Sequence, residues 1–258
     1  MEQRYKVETR CSVNLKGIDI FQDSKSQEWS VVLEKKEDCY IVTIVRRALY
    51  DSDTEKDLKS LLNMVEDVYA HIVLRVSRNG EMMVDNRTEI INHWEAVQKN
   101  ITATFGYDDE MKTFCENVKE GLGNIDHYVK RNMIFFVLLS TFSKREVFEF
   151  LTDSFLSVGN SIKVNVRRDE SAGEKEGKDI LIHEGKAFPV DLRQMRAKYD
   201  NKVSQYIGSP FVYDFSFFSR YEYDNQKGGM FDNAVCNIYE QMSEGYFFKN
   251  HIEFISLE

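Results

Sequence analysis

The segment Gly173-Glu-Lys-Glu-Gly177-Lys178-Asp179 comes nearest in this chain to a phosphate loop. It has one residue fewer between its glycines than that loop, and an aspartate where the magnesium-binding Ser or Thr belongs. Its carboxylates repel phosphate, so it reads as a solvated hairpin tip. No glycine-rich turn of the dinucleotide-binding type follows any strand pattern. His71, His93, His127, His183 and His251 include no pair at metal-binding helical spacing, and Cys11, Cys39, Cys115 and Cys236 form no CxxC pair, so spacing gives no zinc site. Asp108-Asp109-Glu110 lacks the alternating ligands and central glycine of a calcium loop and reads as a helix start. The strand-turn-helix elbow that presents a nucleophilic serine is missing. Cys11, Cys115 and Cys236 stand among apolar neighbours as small hydrophobes, while Asp38 beside Cys39 disfavours a thiolate. Acids are abundant enough for two carboxylates to converge in space and serve a hydrolase, but no spacing marks such a pair.

One chemical feature survives this survey. Phe211, Tyr213, Phe215, Phe217, Tyr221 and Tyr223 project to one side of a single extended run, a stripe broken only by Ser219. Large apolar side chains usually form a core face. Phenol groups at the wet edge of such a stripe also suit a ligand cavity or a partner-binding surface. Both readings stand at this point.

The elements that would carry the stripe follow from periodicity. Odd positions from Tyr5 to Leu15 are mostly apolar and even ones polar, a half-buried strand. Glu28–Leu33 and Tyr40–Tyr50 flank the polar turn Glu34-Lys-Lys-Glu-Asp38 and complete a first meander. Ser52 and Glu55 form a capping box for an amphipathic helix bearing Leu58, Leu61, Leu62, Val65 and Val68. His71–Val76 and Glu81–Val84 read as a hairpin joined by Asn79-Gly80. Asn86 with Glu89 starts a helix carrying Ile90, Trp94, Val97 and Ile101, and Asp108 caps the next. Asn124 begins a helix that includes Met133–Leu139, apolar nearly all round and therefore the most deeply buried. Ser143 and Glu146 predict a further helix through Leu156. Strand patterns return at Ile162–Val166 and Ile180–Ile182, separated by a polar, charged stretch expected to be a mobile tip. Phe211–Tyr223, Met230–Met242 and Tyr246–Leu257 form a second meander.

The chain has 258 residues, 42% hydrophobic and 30% charged, with 2 Pro and 13 Gly. That composition excludes global disorder and low-complexity classes. A net charge of −9 without a polybasic stripe argues against nucleic acid as partner. No apolar run approaches the roughly 20 residues of a membrane-spanning helix. The opening MEQRYKVETR lacks the apolar stretch of a secretory signal and the cysteines are sparse, which predicts a reducing cytoplasm.

The stretch Leu74-Arg-Val-Ser-Arg-Asn-Gly-Glu-Met-Met-Val-Asp-Asn-Arg-Thr-Glu-Ile-Ile-Asn-His-Trp94 resembles a segment of uncharacterised Bacteroidetes proteins of unknown function. The resemblance implies a bacterial origin and brings no activity, cofactor or site with it.

The expected fold is α+β, with two long antiparallel meanders at the ends of the chain packed on a central layer of four to five helices. Residues 1–105 hold the first meander, a helix, the hairpin and a helix, 106–158 the helical layer, and 159–258 the second meander, as one compact unit or two docked subdomains. The function that fits is a non-enzymatic protein-interaction module, an adaptor, immunity or assembly component, that recognises a protein partner and needs no cofactor or metal. A homo-oligomer is compatible with the same features. The alternative is a binding protein for a small apolar ligand in a half-barrel whose mouth is lined by the aromatic stripe.

Overall fold

The computed structural model describes residues 1–48, 58–78, 80–142, 145–170, 174–175, 178–224 and 230–257. Its elements in chain order are β1 (Glu2–Leu15), β2 (Ile18–Lys35), β3 (Cys39–Ala48), α1 (Leu58–Asp67), β4 (His71–Ser77), β5 (Met82–Val84), α2 (Arg87–Phe105), α3 (Asp109–Gly123), α4 (Ile125–Arg131) and α5 (Met133–Leu139). There follow β6 (Val147–Asp153), β7 (Ser161–Asp169), β8 (Glu174–Lys175), β9 (Lys178–Pro189), α6 (Leu192–Lys202), α7 (Ser204–Ile207), β10 (Asp214–Asp224), β11 (Asn233–Ser243) and β12 (Tyr246–Leu257). This is the α+β content that the alternating and helical periods predict. The chain divides into two units, Met1–Tyr5 with Gln27–Val129, and Lys6–Ser26 with Lys130–Glu258. The helices are shared out between them, α1 to α3 in the first and α5 to α7 in the second.

In the first unit the strands run in the order β5-β4-β3-β2-β1. The register sets Val31 opposite Ile44 and Ile44 opposite Ile72, so these fully buried side chains line one face. Ile90, Trp94, Val97 and Ile101 recur at helical spacing on α2 and are buried with them. Asn86 was expected to cap α2. Its side chain instead accepts from Val73 N–H at 2.9 Å and donates to His71 O at 3.1 Å, tying the helix start to β4. Asp108 does cap α3, accepting from Met111 N–H at 2.8 Å. The expected cap at Ser52 and Glu55, and Asn79 of the hairpin turn, lie outside the described residues.

In the second unit the order is β2-β1-β12-β11-β10-β9-β7-β6, with β8 on β9. The expected long helix from Asn124 is broken at Asn132, whose backbone is extended and whose Oδ1 accepts from Ile134 N–H at 2.9 Å, capping α5 anew. Residues 147–153 are not helical. Phe148 and Phe150 point inward as alternate residues of β6, and Phe150 stacks on Phe136 of α5 with ring centroids 3.8 Å apart. Period two wins there because a strand delivers both rings to α5, whereas a helix would turn Phe148 and Phe150 to nearly opposite sides. Ser143 and Lys144 of the expected capping box lie outside the described residues. Part of the polar tip, 171–173 and 176–177, does so too. Capped by Asp191, which accepts from Gln194 N–H at 2.9 Å, α6 is an element that the hydrophobic pattern does not announce, since it buries only Met195 and Tyr199.

Gly185 of β9 sits directly opposite Phe217 of β10. A Cβ at position 185 would come within 3.0 Å of Val164 Cγ1 and 3.2 Å of the Phe217 ring. Gly185→Ala should therefore destabilise the protein by about 2 kcal/mol through overpacking, read as a fall in Tm of about 5 °C. An unchanged Tm would show that the strand pair is less tightly packed than described.

Candidate interaction surface

Strands β10, β11 and β12 each alternate between two faces. On β10, Phe215, Phe217, Ser219 and Tyr221 are buried, and Asp214, Ser216, Phe218, Arg220 and Glu222 point the other way. The register carries this division across the sheet. Ser216 pairs with Tyr239 and Phe218 with Asn237, while Asn237 pairs with His251 and Tyr239 with Lys249. The result is an uncovered face on which aromatic, amide and cationic groups stand side by side. A trough of about 760 Å³ crosses it, walled by Arg10, Gln22, Phe218, Tyr239, Lys249 and His251, with Cys11, Asp23, Asn237 and Asn250 among its other residues.

The trough is prearranged by its own contacts. The His251 Nδ1–H donates to Asn237 Oδ1 at 2.9 Å, which fixes the ring, and Nε2 lies 3.8 Å from Glu253. Tyr239 OH donates to Gln241 Oε1 at 2.7 Å and its ring packs on Phe247 at 5.6 Å. The Lys249 ammonium stands 5.0 Å over the Phe247 ring. Arg10 donates to Glu8 at 2.7 Å. Burial, and secondarily the charge of Asp23, push the Cys11 thiol up, which disfavours its thiolate.

None of the six aromatic residues that the sequence singles out lines this trough. Phe215, Phe217 and Tyr221 are packed in the core of the second unit, where Phe217 meets Phe136 edge-on at 5.4 Å. Phe211 packs against Tyr199, and Tyr223 is half-buried against Phe231, its phenol pushed up to about 12 by burial. Tyr213 donates its hydroxyl to Glu240 at 3.3 Å. Phe218 and Ser216, which alternate with the stripe on the same strand, reach the trough instead.

The strongly perturbed ionisable groups of this unit lie on the covered face. His183, fully buried on β9, has Nδ1 at 3.4 Å from Ser140 Oγ, which is itself 3.1 Å from Tyr221 OH. Ser219 Oγ also donates to Tyr221 OH at 3.1 Å. A Ser-His contact in an open cleft would suggest a nucleophile and its base. Here both groups are sealed among Phe148, Tyr221 and their neighbours. Burial, helped by the Arg168 charge, lowers the His183 pKa to about 3, so the ring stays neutral. Glu240 on β11 is likewise buried and accepts from Ser154 Oγ at 2.6 Å, Phe155 N–H at 2.7 Å and Leu156 N–H at 3.3 Å. Desolvation raises its pKa although all its donors pull the other way. It pins the loop after β6. These convergences are invisible to spacing, because Ser140, His183 and Tyr221 come from different segments.

Neither a protein-family model nor a curated protein matches the chain. Function must therefore be argued from the surface itself. Among the described residues no three His, Cys, Asp or Glu side chains gather as metal ligands, and no helix is long and apolar enough to cross a membrane.

The first unit has two smaller hollows. One, of about 560 Å³, lies among Arg46, Arg47, Asn63, Asp67 and Asn100, and the other, of about 630 Å³, runs between α2 and α3 beside Trp94 and Tyr107. Trp94 is buried, and among the described residues its Nε1–H has no acceptor.

The His183 shift has a definite sign. Its folded pKa lies below the ordinary histidine value of 6.5, so the unfolded chain binds more protons between about 3 and 6.5. Its contribution to stability is present above pH 6.5 and is lost as pH falls through that window. Replacing the ring by His183→Gln should flatten the pH dependence of unfolding there by up to one proton, about 1.4 kcal/mol per pH unit. Chemical denaturation across that range measures it, and an unaltered slope would mean that His183 is not held neutral.

Proposed function

We propose that the protein is a non-enzymatic, cytoplasmic interaction module, an adaptor, immunity or assembly component, that holds a segment of a partner protein in the trough of its second unit. The observation that carries this reading is the division of β10–β12. The uncovered face presents Phe218, Tyr239 and Arg10, residue types enriched at protein interfaces, beside Lys249 and His251. The groups with strongly shifted protonation are on the opposite face and are spent on packing. A trough holding three basic residues and Asp23, on a chain of net charge −9, favours a partner segment that carries an acidic side chain next to an apolar one.

Binding should weaken as salt rises, because the exposed charges are screened. Lys249→Glu should raise the partner's Kd about ten-fold, and Tyr239→Ala by a similar factor. Arg193→Glu makes the same charge change on the exposed side of α6 and should leave Kd unchanged. The check is capture from native lysate with each variant, followed by titration of the captured partner. Equal retention by Lys249→Glu, Tyr239→Ala and the wild type would remove the trough from the account.

A further inference from the structure

The hollow between α2 and α3 in the first unit has a volume of about 630 Å³, the size of a small-molecule site. Helical spacing builds most of it. Ile90, Trp94, Val97 and Ile101 bury one side of α2, and Ile91, Glu95, Gln98 and Thr102 run along the side next to it and line the hollow. Gly106 ends the helix at a φ of +89°, a conformation that favours glycine, and the chain turns there to bring Tyr107 into the lining. Tyr107 is exposed, and Lys119 joins it from α3.

Two independent observations on this hollow point to a ligand. The first is Trp94, which lines the hollow although only 1% of it is exposed. Among the described residues its Nε1–H has no acceptor. The other tryptophan, Trp29, is equally buried, but its Nε1–H donates to Gln27 Oε1 at 2.9 Å. A buried donor left unpaired is costly, and the folded chain itself offers Trp94 nothing to offset it. The second observation is charge. Lys99 and Lys119 line the hollow against one carboxylate, Glu95, and among the described residues neither ammonium forms an ion pair.

An indole N–H, two unpaired cations and the apolar surface of Ile91 and Tyr107 suit a carboxylate on an aromatic body. The carboxylate accepts from the N–H and is attracted by the ammonium groups. The ring of such a molecule packs on Ile91 and Tyr107. Gln98, Lys99 and Thr102 are half-buried or exposed, and side chains of that kind change rotamer within nanoseconds, so they can turn aside for an entering ligand.

We propose that this hollow binds a small aromatic carboxylate, whose oxygen accepts the hydrogen bond that Trp94 Nε1–H lacks and whose charge is met by Lys99 and Lys119. The site belongs to the first unit and the partner trough to the second, so neither reading depends on the other.

Trp94 supplies the readout. In a proton–nitrogen correlation spectrum of the full chain the 2 Trp residues give separate indole N–H peaks, which triple-resonance experiments assign without any mutation. Titration with 1-naphthoate should move the Trp94 peak downfield and saturably, because a hydrogen bond to a carboxylate deshields the proton, while the Trp29 peak stays in place. The neutral 1-naphthalenemethanol, with the same rings, should bind about ten-fold more weakly or worse. Lys119→Glu, on the exposed side of α3, should raise the Kd for 1-naphthoate about ten-fold. Lys112→Glu makes the same charge change on α3 outside the lining and should leave that Kd unchanged. A Trp94 peak that stays put up to millimolar 1-naphthoate, equal affinity for the alcohol, or equal effects of Lys119→Glu and Lys112→Glu would each overturn the proposal.

Discussion

The constraint on which the second unit depends is the burial of α5. Met133–Leu139 is apolar on almost every side, so it must be enclosed by other elements. Phe136 meets Phe150 from β6 and Phe217 from β10 at once. Once Phe217 is committed to α5, strand alternation commits Phe215, Ser219 and Tyr221 to the same side and sends Ser216 and Phe218 to the other. The register transmits that choice to β11 and β12. The polar trough is thus the complement of a hydrophobic requirement, built from the residues that the core does not need.

The covered face is not purely apolar, and several of its polar atoms find hydrogen-bond partners there. Glu240 collects donors from Ser154, Phe155, Leu156 and Tyr213. Ser219 leaves the aromatic stripe with a gap that the Tyr221 hydroxyl fills by hydrogen bonding. Among the described residues, His183 Nε2 and Ser243 Oγ are buried without a hydrogen-bond partner, each at a desolvation cost. These groups are secluded from solvent.

Much of this was legible in the sequence where one strand face is apolar and the other polar. Strands β1, β3, β4 and the meander β10–β12 follow their alternation closely, and the all-apolar run became the deepest helix. The first half of β2 was not legible, because Ile18–Lys25 has no buried face to impose a period. In β6 a capping pattern at Ser143 and Glu146 competed with the alternation of Phe148 and Phe150, and the tertiary demand of α5 decided it. The aromatic stripe marks β10, but alternation alone does not say which face is covered. Nor could any spacing bring Ser140 to His183, or Ser154 to Glu240, since those meetings depend on how separate strands and helices close around one core.

The division of faces is the central claim, and oxidative footprinting with and without bound partner tests it most directly. Phe218, Tyr239 and His251 should be modified in the free protein and protected when the partner binds, while Phe217 and Tyr221 stay unmodified in both states. Modification of Tyr221 in the folded protein, or reactivity at Tyr239 and Phe218 that the partner leaves unchanged, would contradict it.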